Sequence, residues 1–288
     1  MSTMRTTTET SIIIRDIGAG AEMRAVEELQ KEVWGLPDLD VVPLSHLVAA
    51  KTAGGVLLGA FDSETLVGFV YGFVGYEHGR AAHHSHMLAV KPEFRSFNLG
   101  YRLKLAQRER VLAQGINIMT WTFDPLQSLN AYFNFNKLGV VADCYFINFY
   151  GEDAASFLHR NGTDRLWVTW RLSSRRVSER IGGLNNAAPE IESVIPLVQV
   201  EKDNSPGQND LTEGLSGEYV LIEIPADINE LERQNSELAS AWRVATRVAF
   251  TKALSSGYLV ENFYRRSQGS RQISTYYLSR KKSLDDFI

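Results

Sequence analysis

The pattern of apolar and polar positions changes period several times along the chain, and it predicts a mixed α/β fold. Runs of β-branched and aromatic residues predict strands, whereas apolar residues spaced three and four apart predict helices between them. Strands are predicted at residues 11–16, 56–62, 66–75, 82–90, 117–123, 140–150 and 164–172. Helices are predicted at residues 19–34, 45–52, 99–114 and 128–138, the second with Ser45 as its N-cap.

The predicted order, β-α-α-β-β-β-α-β-α-β-β, joins an antiparallel meander to a parallel crossover, so the sheet must be mixed and covered by helices on both faces. Residues 1–10 predict a disordered tail, and residues 11–175 predict the main domain. Residues 176–217 are polar and turn-rich and predict a linker or irregular segment, with one candidate strand at 191–200. Residues 218–288 predict a smaller β-α-β-β extension.

Composition and charge exclude several classes of protein. The chain has 288 residues, 44% of them hydrophobic, and a net charge of −4, which indicates a globular protein and argues against a general nucleic-acid binder. No apolar run has the length of a membrane span, and the polar N-terminus lacks a signal-peptide core. We therefore expect a cytoplasmic protein that binds no membrane, with a homodimer left open. Cys144, the only cysteine, excludes a disulfide framework and is expected to be buried in a strand.

The stretch at residues 86–101 has the sequence of a strand, a turn at Lys91-Pro92, a polar loop and a helix start. A helix start presents unpaired N–H groups and the positive end of the helix dipole, which together bind phosphate. Arg95 adds a fork-shaped charge, Gly100 permits close approach to the backbone, and Asn98 tolerates a left-handed conformation. The alternative to a phosphate-binding site is a surface turn followed by a basic helix that binds no ligand.

Together with its flanking elements, this stretch resembles the GNAT acyltransferase superfamily. That family carries Arg/Gln-x-x-Gly-x-Gly/Ala after a strand and a Val-x-Pro-like turn. Here Val90-Lys91-Pro92 precedes Arg95-Ser96-Phe97-Asn98-Leu99-Gly100, with Asn98 where a glycine is usual. Asn130-Ala131 and Lys137-Leu138-Gly139 match a second family helix, and the element order agrees over residues 11–172. The phrase Trp121-Thr122-Phe123-Asp124-Pro125-Leu126 is similar to a subgroup of large GNAT acetyltransferases with a C-terminal extension.

The resemblance implies acetyl-CoA, or another acyl-CoA, as the cofactor. Its diphosphate would lie over backbone N–H groups of Arg95, Ser96, Phe97, Asn98, Leu99, Gly100 and Tyr101. Its pantetheine arm would pair with the strand edge through the main chain of Leu88, Ala89 and Val90, where two parallel strands splay apart. Asn130 and Phe133 would touch it from the short helix, although Asn130 is equally suited to cap that helix.

Candidate groups for proton transfer follow from residue type and position. His84 and His86 alternate on one face of the cofactor strand, with His83 on the other, and a pKa near 6.5 suits a base at neutral pH. A metal site is not expected, because no carboxylate or cysteine partner is evident. Asp124 ends a strand and is a further catalytic candidate, with a turn residue ahead of Pro125 as the alternative.

The leaving thiolate needs a proton, which the family usually takes from a tyrosine on the short helix. Phe135 occupies that position here and has no proton to give. Tyr145 on the next strand, Tyr132 on the same helix, or solvent would replace it. On the C-terminal helix, Arg243 and Arg247 share a face and predict either an anion site or ion pairs.

These features predict an acetyl-CoA-dependent N-acetyltransferase that acts on a small-molecule or amino-acid-like amine by direct transfer. The alternative, from a different class, is a non-catalytic acyl-CoA-binding or sensor protein. Such a protein would keep the cofactor cleft and lack the acid, as Phe135 would allow.

Overall fold

A computed structural model describes residues 11–151, 161–184, 194–268 and 271–280, and the chain divides into two compact units. The first unit ends at Trp121, and the second begins at Thr122. The tail expected at residues 1–10 lies outside the described residues, as does the 185–193 part of the expected linker. In the described part of the chain, no helix is long and apolar enough to cross a membrane.

The first unit is built on a sheet in the order β1-β2-β3-β4-β5. Its strands are β1 (Ile12–Asp16), β2 (Val56–Asp62), β3 (Thr65–Glu77), β4 (Arg80–Val90) and the first four residues of β5 (Ile118–Phe123). Neighbouring strands are antiparallel from β1 to β4, and β4 runs parallel to β5. The predicted meander and parallel crossover are confirmed.

Helices cover both faces of this sheet. On one face, α1 (Ala21–Trp34) and α2 (Leu44–Thr52) bury an apolar stripe against β2, β3 and β4. On the other face, α3 (Leu99–Ala113) lies over β3 and β4, where Leu103 packs beside Gly68. The expected N-cap at Ser45 is wrong, because α2 already begins at Leu44 and no side chain caps it.

The second unit contains strands in the order β7-β6-β11-β12-β10-β8-β9. Their bounds are β6 (Val141–Phe146), β7 (Arg165–Arg171), β8 (Val198–Val200), β9 (Pro206–Gln208), β10 (Tyr219–Pro225), β11 (Leu259–Gln268) and β12 (Arg271–Ser279). The helices are α4 (Ser128–Tyr132), which continues as a π-helix (Phe133–Leu138), α5 (Arg175–Ile181), α6 (Leu211–Gly214), α7 (Ile228–Gln234) and α8 (Ser236–Ser255). The β10 and β8 strands are parallel, and the other neighbours are antiparallel.

Two expectations about this unit are wrong. The segment expected to be irregular contains α5, α6 and β9 in addition to β8, which lies within the candidate strand at 191–200, because side chains satisfy its backbone. The Ser174 hydroxyl accepts from the Val177 N–H at the start of α5, and the buried Glu223 carboxylate accepts from the Val200 N–H. Cys144 lies in a strand as expected but is exposed, because the second half of β6 turns alternate residues outward.

Candidate acyl-donor and acceptor site

The loop between β4 and α3 adopts the shape that its sequence predicts. Residues Pro92–Phe97 form a 3₁₀ turn in which the rings of Phe94 and Phe97 pack 5.9 Å apart. Asn98 then takes the left-handed conformation, with φ 54°, and α3 begins at Leu99. The expectation that Asn98 replaces a glycine at positive φ is confirmed. The chain thus turns sharply and aims the first N–H groups of α3 outward.

The described residues leave the backbone of Gly100 uncrowded at this helix start. A Cβ atom added to Gly100 would come within 4 Å of one described atom, Leu88 Cδ2, at 3.6 Å, which is an ordinary contact. Arg95 and Ser96 are exposed at the mouth, whereas Leu99 is buried and anchors the helix. The arrangement offers backbone donors, a positive dipole end and a guanidinium to an anionic group.

β4 and β5 separate beside the loop and helix start at residues 95–100, which we call the cradle. Their described residues pair at His83↔Met119 and His84↔Thr120 and not beyond. On its other side β4 stays paired with β3 to its end, through Leu88, Ala89 and Val90. Among the described residues, the edge of β4 that faces β5 therefore has no strand partner beyond His84. The Ala89 side chain is buried in the α1–α2 core, so only its main chain could serve.

A β-bulge changes which way β4 directs its side chains. Tyr71 of β3 pairs with Met87, but the next residue, Gly72, pairs with Ser85, so His86 is an extra residue. His84 and His86 share one face of β4, as predicted. That face is the α1–α2 side, and the bulge also places Met87 there. His83 faces α3, so the three imidazoles do not converge. Bulges of this kind commonly re-aim side chains beside a site.

His84 and His86 belong to a wall of rings on the α1–α2 side. We call this set, His46, Tyr71, Phe73, His84 and His86, the ring wall. The Phe73 ring lies 5.4 Å from that of His84 and 5.8 Å from that of His86, and Tyr71 meets His86 edge-on at 6.1 Å. The Tyr71 hydroxyl hydrogen-bonds His46 Nε2 at 2.9 Å, which ties the wall to α2. The sequence gives little sign of this wall, because its members come from α2, β3 and β4.

The expected histidine pKa near 6.5 is wrong for this environment. Burial lowers the pKa of His84 to about 4, with smaller contributions from the neighbouring basic groups His86 and Lys104. Its Nδ1 atom lies 3.1 Å from Thr120 Oγ1. His86 is exposed, yet desolvation by its neighbours, together with the His46 charge, still lowers its pKa. Both imidazoles are neutral at pH 7 and are weaker bases than the sequence suggested.

The burial of His83 and His84 predicts that the folded protein loses stability as the pH falls. The pKa values of His83 and His84 are lowered to about 4, whereas an unfolded histidine titrates near 6.5. Between these values the unfolded chain binds more protons, so the free energy of unfolding falls as the pH falls, by up to about 1.4 kcal/mol per pH unit for each histidine. Urea unfolding from pH 7 to pH 4.5 measures the slope. His83→Gln should flatten it, and equal slopes for the two proteins would contradict the prediction.

The remaining catalytic candidates belong to the second unit and are engaged there. The Asp124 carboxylate accepts two hydrogen bonds from Arg243, each 2.8 Å, and one from the Leu126 N–H. Tyr145 donates to Asp164 at 2.7 Å, and burial together with that carboxylate raises the pKa of Tyr145. Arg247 also pairs with Asp164. These contacts favour the turn and ion-pair alternatives and make Tyr145 a poor proton donor.

Asn130 and Phe133, two further residues predicted to contact the cofactor, belong to the short helix of the second unit. Asn130 is exposed in α4, and it does not cap the helix, which begins at Ser128. Phe133 is half-buried at the start of the π-helix. Phe135 is fully buried and packs against Phe123 and Tyr276, so the expected lack of an acid at this position stands.

Two residues that were not predicted from the sequence to have a role lie on the stripe of α3 that faces the sheet. Lys104 and Gln107 are both buried there, between the apolar residues Leu103 and Val111. The sequence signal is a charged residue, Lys104, and a polar residue, Gln107, on a stripe whose other buried members, Leu99, Leu103 and Val111, are apolar.

Comparison with known proteins gives structural similarity alone. No protein-family model matches the sequence, and no curated protein matches it. The ribosomal-protein-S18-alanine N-acetyltransferase from Escherichia coli is similar at 12% identity and a TM-score of 0.45, over 56% of this chain and 94% of that one. An aminoglycoside 6'-acetyltransferase type Ii is similar at 19% identity and 0.45, over 57% and 99%. A GNAT family acetyltransferase from Elizabethkingia anophelis with acetyl-CoA bound is similar at 15% identity and 0.45, over 56% and 98%. At these identities and TM-scores, the function of this protein has to be argued from its own residues.

Proposed function

We propose that the protein transfers an acetyl group from acetyl-CoA to the amine of a small molecule. The observation that carries the proposal is the fork between β4 and β5, which opens beside the helix start at Asn98–Gly100. A fork next to a helix start offers an open strand edge and a cluster of backbone donors to one ligand. The motif from Arg95 to Gly100, which resembles the GNAT pattern, supports the same proposal.

The described residues suit the chemical parts of an acyl-CoA. The diphosphate would meet the first N–H groups of α3, with Arg95 alongside and Gly100 leaving the approach clear. The amide-bearing pantetheine arm would lie along the open edge of β4 from Met87 to Val90. When bound, acetyl-CoA would supply a thioester, which is an activated acetyl donor.

The ring wall supports an acceptor site on the α1–α2 side of the fork. Its five side chains include no carboxylate, so an amine would be received by hydrogen bonds and ring contacts rather than by an ion pair. The neutral imidazoles of His84 and His86 would accept hydrogen bonds from the amine and hold it toward the fork. We infer a small amine with an apolar or aromatic body as the acceptor.

Two assays test this function. Calorimetry with CoA should give a dissociation constant in the micromolar to low-millimolar range. Release of CoA from acetyl-CoA is then followed with a panel of aliphatic, aromatic and amino-acid amines. Turnover with one class of amine supports acetyl transfer. Binding without turnover for any amine would favour the sensor alternative, which the buried Phe135 allows. A protein that does not bind CoA would contradict both functions.

Replacing His84 and His86 together by glutamine should lower kcat/KM for the amine at least about tenfold, because two hydrogen-bonding imidazoles leave the ring wall. The affinity for CoA should change by less than about threefold, because the proposed diphosphate site lies at the start of α3 and not in the ring wall. His78→Asn is the matched control, because His78 is exposed in a turn at positive φ, which asparagine tolerates. An unchanged kcat/KM in the double variant would remove the histidines from the site.

A further inference from the structure

Lys104 spans the point where β4 and β5 part. Its side chain is buried, with 4% of the residue exposed, although it carries an amine. Nζ donates to Ser85 Oγ at 2.7 Å and lies 3.7 Å from the centroid of the Trp121 ring. Ser85 and Trp121 are the residues that follow the last paired positions, His84 and Thr120, on the two strands. Lys104 therefore lies on the α3 side of the sheet and covers the point where β4 and β5 separate, which we call the apex of the fork.

A chain of hydrogen bonds fixes Ser85, the partner of Lys104. Ser85 donates to Gln107 Oε1 at 2.8 Å, and Gln107 Nε2 lies 3.3 Å from His83 Nε2. His83 is fully buried, and its Nδ1 atom has no partner among the described residues. Among the residues that the structure describes, no carboxylate contacts Lys104. The titratable groups that face Lys104 are His83 and His84 of β4.

A lysine in this position needs an explanation beyond packing. An apolar side chain would fill the stripe of α3 at no electrostatic cost, whereas a buried amine without a carboxylate disfavours its own charge. Burial accordingly lowers the pKa of Lys104 well below that of an exposed lysine. A lowered pKa makes the neutral amine, which can accept a proton, more available than in an exposed lysine.

The proposed acetyl transfer needs a group that can move protons. The attacking amine nitrogen must lose a proton, and the departing sulfur must gain one. Phe135 has no proton to give, and the pKa of His84 is too low for a strong base. A ligand whose diphosphate meets Gly100 and whose arm follows β4 runs toward Ser85, so its thioester end would approach Lys104.

Resting on the function proposed above, we infer that Lys104 is a catalytic residue that carries the proton from the acceptor amine to the sulfur of CoA. The amine nitrogen forms its bond to the acetyl carbon, and the carbon–sulfur bond breaks with its electron pair on sulfur. The nitrogen, on the α1–α2 side, gives one proton across the fork to Nζ of Lys104 on the α3 side, and Nζ returns one proton to the thiolate. Lys104 thus ends each cycle as the neutral amine with which it began.

Kinetics of Lys104→Met and Lys104→Arg test this role. Both variants should lose at least about 100-fold in kcat, the size of a typical general acid–base contribution, with the KM for acetyl-CoA within about threefold. In the wild type, the extra rate over Lys104→Met should rise with pH through a midpoint below the ordinary lysine value of about 10.4. Lys252→Met, an exposed lysine in α8, is the control. A kcat within about threefold of wild type in Lys104→Met would overturn the inference.

A second measurement does not depend on turnover. Bromoacetyl-CoA presents an electrophilic carbon where the acetyl group would lie, and a neutral amine there forms a carbon–nitrogen bond with loss of bromide and a proton. Peptide mass mapping should locate the label on Lys104, and Lys104→Met should lose it. CoA binding by calorimetry with the label elsewhere, or with no label, would overturn the inference and leave the proposed function standing. Absence of CoA binding would overturn the proposed function and the role of Lys104 with it.

Discussion

Replacing Gly100 by leucine is expected to weaken CoA binding at least about tenfold without destabilising the protein. The added Cβ would meet Leu88 Cδ2 at 3.6 Å, so the fold has room for the start of the side chain. Leucine also favours a helix by about 1 kcal/mol over glycine. The loss would therefore come from a side chain that stands between the helix N–H groups and the diphosphate.

Calorimetry with CoA measures the affinity, and urea unfolding measures the stability of the same variant. Gly100→Ala should fall between glycine and leucine, because a single methyl group blocks less of the approach. Gly75→Leu is the matched control: a Cβ at Gly75 meets nothing within 4 Å, and Gly75 lies on β3 opposite Ala82, outside the cradle. Unchanged CoA affinity in Gly100→Leu would show that the diphosphate does not bind at this helix start.

Replacing Asp124 by alanine is expected to lower the free energy of unfolding of the second unit by about 3–5 kcal/mol. Asp124 and Arg243 form a two-point ion pair at 2.8 Å, with side chains 12% and 5% exposed. The guanidinium also donates to the Asn161 carbonyl at 2.8 Å, so it is held in place. Without the carboxylate, a buried positive charge would remain uncompensated.

Urea unfolding monitored by circular dichroism and tryptophan fluorescence checks this loss. Asp38→Ala is the control: its carboxylate pairs with Lys31 but is 87% exposed, so its removal should leave the free energy of unfolding almost unchanged. Removing both charges, as Asp124→Ala with Arg243→Met, should recover part of the loss, because no unpaired ion is then buried. A loss below about 1 kcal/mol in Asp124→Ala would mean that Arg243 finds another partner.

Local pattern was enough to predict most of the elements. The stripe of apolar residues in α1, the hairpin of β2 and β3, and the crossover through α3 all depend on neighbours within a few positions. The same holds for Asn98, whose left-handed φ of 54° follows from the local need for a turn before α3. Helix and strand signals are short-range, so a single sequence carries them.

The chemistry of the side chains depended on partners far away in sequence. The pKa of His84 reflects burial on β4 beside Phe73 of β3 and Thr120 of β5, and the carboxylate of Asp124 is occupied by Arg243, 119 positions later. The bulge at His86 depends on how β4 registers against β3, which no local pattern encodes. Burial and pairing are properties of the packed molecule, so residue type alone suggested the wrong pKa for His84.

The sequence by itself determined the order of the elements of the first unit and the turn from Arg95 to Gly100 that leads into α3, because turn geometry and helix starts are set by adjacent residues. The tertiary structure alone decided which titratable groups stand at the fork between β4 and β5. Burial lowers the pKa of His84 and weakens it as a base. Asp124 and Tyr145 are held in contacts with Arg243 and Asp164. Packing also places Lys104 against Ser85 and Trp121. A proton-transfer group is selected by desolvation and by its contacts, and both exist only once distant strands and a helix have packed together.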